Sequence, residues 1–166
     1  MIMATVINPR HSHPLLVART GVQKICVALG IIFIILGLTG VLQPSILGLH
    51  LSEAHNLIHL ASGSLCLWSG FAEDKHKAYL LSCVLGIFYA FVGIIGFLIG
   101  KAGYPAVGYQ ASDSRLWRVI PDVLEFGTND HTLHLFVGFF FLLGAFFWKM
   151  KVDSVARSIV DVQRRK

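Results

Sequence analysis

Histidines dominate the residues of this chain that could do chemistry. Five of the eight lie in two short stretches, each at the polar start of an apolar block. His55 and His59 are four residues apart, His131 and His134 are three apart, and His50 precedes the first pair. Both spacings place the two rings of a pair on one face of an α-helix. Each stretch can therefore present two imidazoles in one direction.

Two helices that each offer an inward imidazole can ligate a transition metal or fill both axial positions of a b-type haem. The predicted haem ligands are His59 and His134. Gly63 and Gly138 each follow a matched histidine by four residues, which would leave room beside a flat macrocycle. The predicted metal ligands are His55, His59, His131 and His134. Polar neighbours that could orient the imidazoles are Glu53, Asn56 and Asp130.

A structural role explains the same residues. His59 lies about six residues into its helix, roughly 9 Å deep, so its ring can reach interfacial water, a loop carbonyl or the other helix. Gly63 and Gly138 are equally explained by close helix crossing. Ionisable groups inside a membrane are also candidates for proton handling. The sequence alone leaves these interpretations open, and we predict no catalytic residue.

The composition places the histidines in a membrane protein. The chain has 166 residues, of which 55% are hydrophobic and 14% charged, whereas soluble domains carry about 25% charged residues. Four apolar blocks approach the roughly 20 residues that a spanning helix needs. We predict an all-α bundle of four transmembrane helices with no soluble domain. The predicted segments are an N-terminal segment 1–21, spans 22–42, 54–71, 78–100 and 132–148, an outer loop 101–131 and a basic tail 149–166.

Basic residues predict the orientation. They precede the first span, join the second to the third and follow the fourth, and only Lys101, Arg115 and Arg118 lie on the other side. Cytoplasmic loops carry the excess of lysine and arginine. Both termini are therefore predicted to be cytoplasmic, and the histidine stretches face outward.

The chain contains an internal repeat. LGIIFIILGLTG, from Leu29, matches LGIFYAFVGIIG, from Leu85, and HNLIHLASG, from His55, matches DHTLHLFVG, from Asp130. A duplicated helical hairpin predicts a pseudo-twofold axis along the membrane normal, which could bring the matched histidines face to face. We expect spans one and three to pack through their glycine faces. These glycines are Gly30, Gly37, Gly40, Gly86, Gly93 and Gly96.

Two segments outside the spans are predicted to be helical. The stretch SRLWRVIPDVLEF is expected to form a short interfacial helix that breaks before Pro121, with Trp117 at headgroup level. It would act either as a lid over the histidines or as a plain connector, and Arg115 and Arg118 could anchor haem propionates. The basic tail 149–166 is either an amphipathic helix on the inner leaflet or a solvated segment.

Several function classes are excluded by what the sequence lacks. It has no P-loop, no H-E-x-x-H and no G-x-S-x-G. No predicted span holds Asp, Glu, Lys or Arg at its centre, which argues against an ion-coupled transporter. The positive charge lies at the chain ends and in one short loop, so no nucleic-acid partner is expected.

The motifs H-N-x-x-H-L-x-x-G and D-x-x-L-H-L-x-x-G resemble those of an uncharacterised family of small four-helix bacterial membrane proteins, over residues 22–148. The resemblance implies a four-helix fold in the bacterial inner membrane and no activity. The matching signature positions are His55, Asn56, His59, Gly63, Asp130, His134 and Gly138. His131 departs from the pattern.

The expected function is therefore a non-enzymatic accessory, assembly or ligand-binding protein with an outer His/Asn/Asp cluster. The alternative is a membrane redox protein that binds b-type haem or a transition metal. Its expected partners are the lipid bilayer and a homo-oligomer or larger membrane complex.

Overall fold

The computed structural model describes residues 19–108 and 110–165. Most of the predicted segment 1–21, including His11 and His13, lies outside these residues. The helices are α1 Gly21–Leu42, α2 Glu53–Phe71, α3 Lys75–Ile99 and α4 Thr128–Arg164. The strands are β1 Lys101–Gly103, β2 Asp113–Ile120 and β3 Leu124–Phe126.

Three helices, α1, α3 and α4, are long and apolar enough to cross a membrane. Their outer faces carry large apolar side chains that are about half exposed, such as Ile35, Ile87 and Phe139. Within the described residues α2 does not join this group, because histidine, asparagine and serine side chains dilute the hydropathy of its 19 residues. The prediction of a mainly helical membrane protein is confirmed at this level.

The interior of the helix bundle combines polar and apolar side chains. Ser62 and Ser82 are buried beside an apolar cluster that includes Phe33, Tyr89 and Phe141. Helices in lipid associate through close backbone approach and polar contacts as well as through such packing.

Each glycine face packs against the partner helix of its own hairpin. A Cβ added to Gly30 would lie 3.0 Å from Cys66 Cβ on α2, and one added to Gly86 would lie 2.8 Å from Leu142 Cγ on α4. Spans one and three therefore use their glycine faces for close packing, as expected. The two glycine faces do not contact each other, because α1 packs mainly on α2 and α3 mainly on α4.

The outer loop forms a small antiparallel sheet in the order β1-β2-β3, so the predictions of a short interfacial helix and of an all-α fold are wrong. β2 pairs Lys101 with Leu116 on one side and Trp117 with Phe126 on the other. Pro121 directly follows the last residue of β2. Because proline has no backbone N–H, it could not donate a hydrogen bond within the strand. Arg118 lies 3.2 Å from Glu125 and donates to the Tyr104 carbonyl, so it is committed to the sheet.

α4 continues into the basic tail without interruption and ends at Arg164. Residues 149–165 are exposed along their whole length. The tail is therefore an extension of the fourth predicted span rather than a solvated coil or a separate helix.

The helix crossing at Gly63 makes a stability prediction. An added Cβ would lie 2.9 Å from the Gly30 carbonyl oxygen and from Ile34 Cδ1. We expect Gly63→Ala to lower the free energy of unfolding by roughly 1–3 kcal/mol through overpacking, measured by thermal unfolding in detergent.

The control is Gly21→Ala, because a Cβ at Gly21 meets nothing within 4 Å. This change is expected to be neutral or slightly stabilising, since alanine favours a helix over glycine by about 1 kcal/mol. Equal effects of the two substitutions would contradict the described crossing.

Candidate metal centre

Three buried imidazoles converge near the N-terminal ends of α2 and α4. His55 and His59 come from one face of α2 and His134 comes from α4, and one ring nitrogen of each lies within 4.8 Å of the others. Ring centroids are 4.3 Å apart for His55 and His59 and 5.7 Å apart for His55 and His134. Ser52 fixes the start of α2 by accepting from the His55 backbone N–H at 3.2 Å.

Each of these rings keeps a nitrogen free. The His55 Nδ1–H donates to the His50 carbonyl at 2.9 Å, which leaves the lone pair on Nε2. His55 Nε2, His59 Nδ1 and His134 Nδ1 are buried and have no hydrogen-bond partner among the described residues. Buried polar atoms are normally paired. These nitrogens are therefore available to a ligand.

Asp130 organises the loop beside the three imidazoles. Its carboxylate accepts from the His50 backbone N–H at 3.2 Å, from His50 Nδ1–H at 2.9 Å and from the Gly127 N–H at 2.8 Å. These contacts tie the loop after α1 to the first turn of α4. The same loop supplies the carbonyl that orients His55, whose Nδ1 lies 4.0 Å from Asp130 Oδ1. Asp130 thus orients the imidazoles indirectly.

The space among the imidazoles is small and mostly apolar. The cavity measures about 20 Å³, which holds about one water-sized sphere. Pockets for larger ligands span about 300–1,000 Å³. The cavity therefore fits a single ion and does not fit a haem. Its walls are formed by Phe33, Leu36, Leu49, His55, His59, Asp130, Leu133, His134 and Val137.

The predicted space for a macrocycle is filled by helix crossings. An added Cβ on Gly63 would meet the Gly30 carbonyl, and one on Gly138 would lie 2.6 Å from the Ala90 backbone nitrogen. Gly63 and Gly138 both lie at close helix crossings, which favours the alternative explanation of these glycines over the prediction that they bind a cofactor.

Three other predicted residues lie outside the convergence. His131 packs over Gly96, and its Nε2–H donates to the Arg115 carbonyl at 2.8 Å. Asn56 packs over Gly40, and Glu53 is exposed on the first turn of α2. His131 is thus separated from the other predicted metal ligands. Among the described residues, neither the Asn56 amide, which donates to the Leu51 carbonyl, nor the exposed Glu53 carboxylate orients a ligand histidine.

Aromatic residues that the sequence argument missed enclose the imidazoles. Phe126 lies 4.8 Å from His55 and 5.1 Å from His134 between ring centroids. Tyr89 lies 5.4 Å from His134, and its hydroxyl donates to Ser62 Oγ at 2.8 Å. Phe126 could not be found from local sequence, because the sheet brings it over the helices. Tyr89 could have been noticed in the sequence as the polar residue that matches Phe33 when LGIIFIILGLTG and LGIFYAFVGIIG are aligned.

A second carboxylate, that of Asp113, clamps the outer sheet to α4. It accepts from the Arg115 N–H at 2.8 Å, from the Thr128 N–H at 2.9 Å and from the Thr128 hydroxyl at 2.7 Å. Partial burial raises the pKa of Asp113, but these hydrogen bonds to the charged form outweigh burial and lower the pKa overall.

No family model, no curated protein and no solved structure matches this chain.

The Asp113 clamp predicts a pH dependence. Because its folded pKa is lowered, the clamp contributes full stability above the unfolded pKa of about 4. That contribution is lost as the pH falls through the folded value. We expect Asp113→Asn to reduce the loss of thermal stability between pH 6 and pH 3, measured beside the wild type in the same detergent. Parallel pH profiles for the two proteins would show that the clamp adds nothing to stability.

Proposed function

We propose that this protein is a multi-pass membrane protein that binds a single transition-metal ion between His55, His59 and His134. The observation that carries the proposal is the convergence of three buried imidazoles, with one ring nitrogen of each within 4.8 Å of the others, beside a cavity of about 20 Å³. Each ring also has a buried nitrogen without a hydrogen-bond partner among the described residues. Each buried nitrogen without a partner costs about 1–3 kcal/mol. One ion would satisfy all three nitrogens.

Only a small rearrangement is needed to load the site. Metal–nitrogen bonds of about 2.0–2.1 Å place ligand nitrogens about 3.3–3.6 Å apart, and the three nitrogens already lie within 4.8 Å. Rotation of the side chains can close the remaining gap of about 1 Å, because His59 and His134 make no hydrogen bond that resists it.

A binding or accessory role fits this centre better than an enzymatic one. The imidazoles have no serine or cysteine nucleophile in their cavity wall, and a cavity of about 20 Å³ leaves no place for an organic substrate. The small volume of the cavity likewise disfavours the haem alternative. We therefore retain metal binding, alone or within a larger membrane complex, as the function.

We further propose that α2 is a fourth span and that the two hairpins are repeats related by a pseudo-twofold axis. Matched positions of the repeats touch across the bundle. Cys26 Sγ lies 3.3 Å from Ser82 Oγ, and the Phe33 and Tyr89 rings stack at 5.0 Å. The glycine contacts also correspond, since Gly40 packs on Asn56 as Gly96 packs on His131. α2 lies antiparallel against α1 over most of its length, which supports a spanning position.

The proposed location is the bacterial inner membrane, with both termini in the cytoplasm. The basic tail of α4 supports this orientation, because lysine and arginine are retained on the cytoplasmic side. The proposed orientation places the candidate centre near the outer surface, under the sheet. The motif resemblance supports the bacterial membrane.

The proposal predicts one bound ion per chain. We expect purified protein, loaded in detergent with Co²⁺, Zn²⁺ or copper of either charge, to retain one equivalent of at least one of these metals by elemental analysis. His59→Ala and His134→Ala should each weaken metal binding by about 100-fold or more, because each removes one of three ligands.

The matched control is His131→Ala, which removes a buried histidine of α4 that lies outside the convergence and should retain the metal. A metal-free wild type whose three variants merely unfold at lower temperature would contradict the proposal. The histidines would then form a structural polar cluster.

A further inference from the structure

We infer that the centre between His55, His59 and His134 selects monovalent copper, Cu(I), over divalent ions such as Zn²⁺. The inference rests on the proposed metal site and goes beyond it by naming the class of ion. Two independent features of the site carry it: the number of available ligands and the charge that surrounds them.

The site offers three ligands and no visible fourth. Zn²⁺ is almost always four-coordinate, with water or another side chain completing the set. The nearby His131 is turned to the Arg115 carbonyl, and both oxygens of Asp130 already accept N–H groups. The cavity measures about 20 Å³, close to the space of one water-sized sphere, which leaves little room beside a bound ion. Cu(I) has a filled d shell and forms stable complexes with three nitrogen ligands in a plane.

The electrostatic surroundings offer one negative charge. The three ligands are neutral imidazoles, and the carboxylate that faces them is that of Asp130, 4.0 Å from His55 Nδ1. Among the other acidic groups at this end of the bundle, Glu125 is paired with Arg118, and Glu53 and Asp122 are exposed, so that water screens their charges. Asp113 is partly exposed, so that water screens it.

The charges therefore balance for a monovalent ion. Cu(I) with ionised Asp130 gives a neutral centre, whereas a divalent ion leaves one uncompensated positive charge. An uncompensated charge is expensive in an apolar, membrane-embedded site. The walls beyond the imidazoles are phenylalanine, leucine and valine side chains that cannot stabilise it. Ligand number and charge balance thus favour the same ion.

The test is a competition titration of the full-length protein in detergent without oxygen. Cu(I) is titrated against a chromogenic Cu(I) chelator, and Zn²⁺ against a zinc-binding dye. X-ray absorption of the loaded protein then counts the ligands. We expect one Cu(I) per chain, bound at least about 100-fold more tightly than Zn²⁺. The cost of burying the uncompensated charge of Zn²⁺ is expected to exceed the gain from its attraction to the three imidazoles. We also expect three nitrogen scatterers at about 2.0 Å.

Asp130→Asn separates charge from ligation, because it leaves all three imidazoles in place. We expect this variant to bind Cu(I) about 10–100-fold more weakly, the usual effect of losing an orienting group, with the same three nitrogen scatterers. The control is Glu53→Gln, which removes an exposed carboxylate close to His55 in sequence and should leave Cu(I) affinity unchanged.

The outcomes separate the inference from the metal site itself. Zn²⁺ bound as tightly as Cu(I), in a four-coordinate centre, would overturn the preference and leave a metal site in place. Unchanged Cu(I) affinity in Asp130→Asn would overturn the charge argument on which the preference depends. Failure of the wild type to bind either ion would overturn both the preference and the proposed function.

Discussion

A polar group buried among lipid-facing helices finds no water, so it must find its partner within the protein. This constraint organises the outer half of the molecule. Asp130 gathers three N–H groups from the loop after α1 and the start of α4, and the carbonyl of His50 holds His55. The sheet supplies a carbonyl for His131. The loops supply hydrogen-bond partners to polar side chains at these helix ends. Among the described residues, six buried polar side-chain atoms still lack a partner, and His55, His59 and His134 hold three of them.

Much of the helical architecture could be predicted from the sequence. Blocks of apolar residues locate the helices, because a helix in contact with lipid needs apolar side chains. The glycine pattern identifies the helix faces that pack closely. The sheet escaped prediction because β2 depends on pairing with β1, about a dozen residues away, and with β3 beyond a turn. Such pairing is not visible in local periodicity. Asp122 adopts φ 66° in that turn, a conformation that aspartate tolerates better than most residues.

The candidate centre was predicted in part. The convergence of His59 and His134 follows from matching the two hairpins. The same match aligns His131 with Asn56 rather than with a second ligand, and both residues lie over the glycines of the adjacent helix. The position of His131 was therefore readable from the alignment, whereas helix spacing alone suggested a fourth ligand. In the proposed repeat, His55 corresponds to Asp130. One hairpin thus supplies two ligands, and the other supplies one ligand and a carboxylate.

The unbroken length of α4 joins two distant parts of the protein in one rigid rod. The rod carries His134 near its outer end and the basic tail at the other, and it crosses α3 at Gly138. His134 lies about 6 Å on one side of that crossing and Arg164 about 39 Å on the other, at 1.5 Å per residue. α4 also packs closely through Leu142 on Gly86 and through Gly144 on Ile25. Because the helix is continuous, the crossings that position His134 also set the direction in which the tail leaves the bundle.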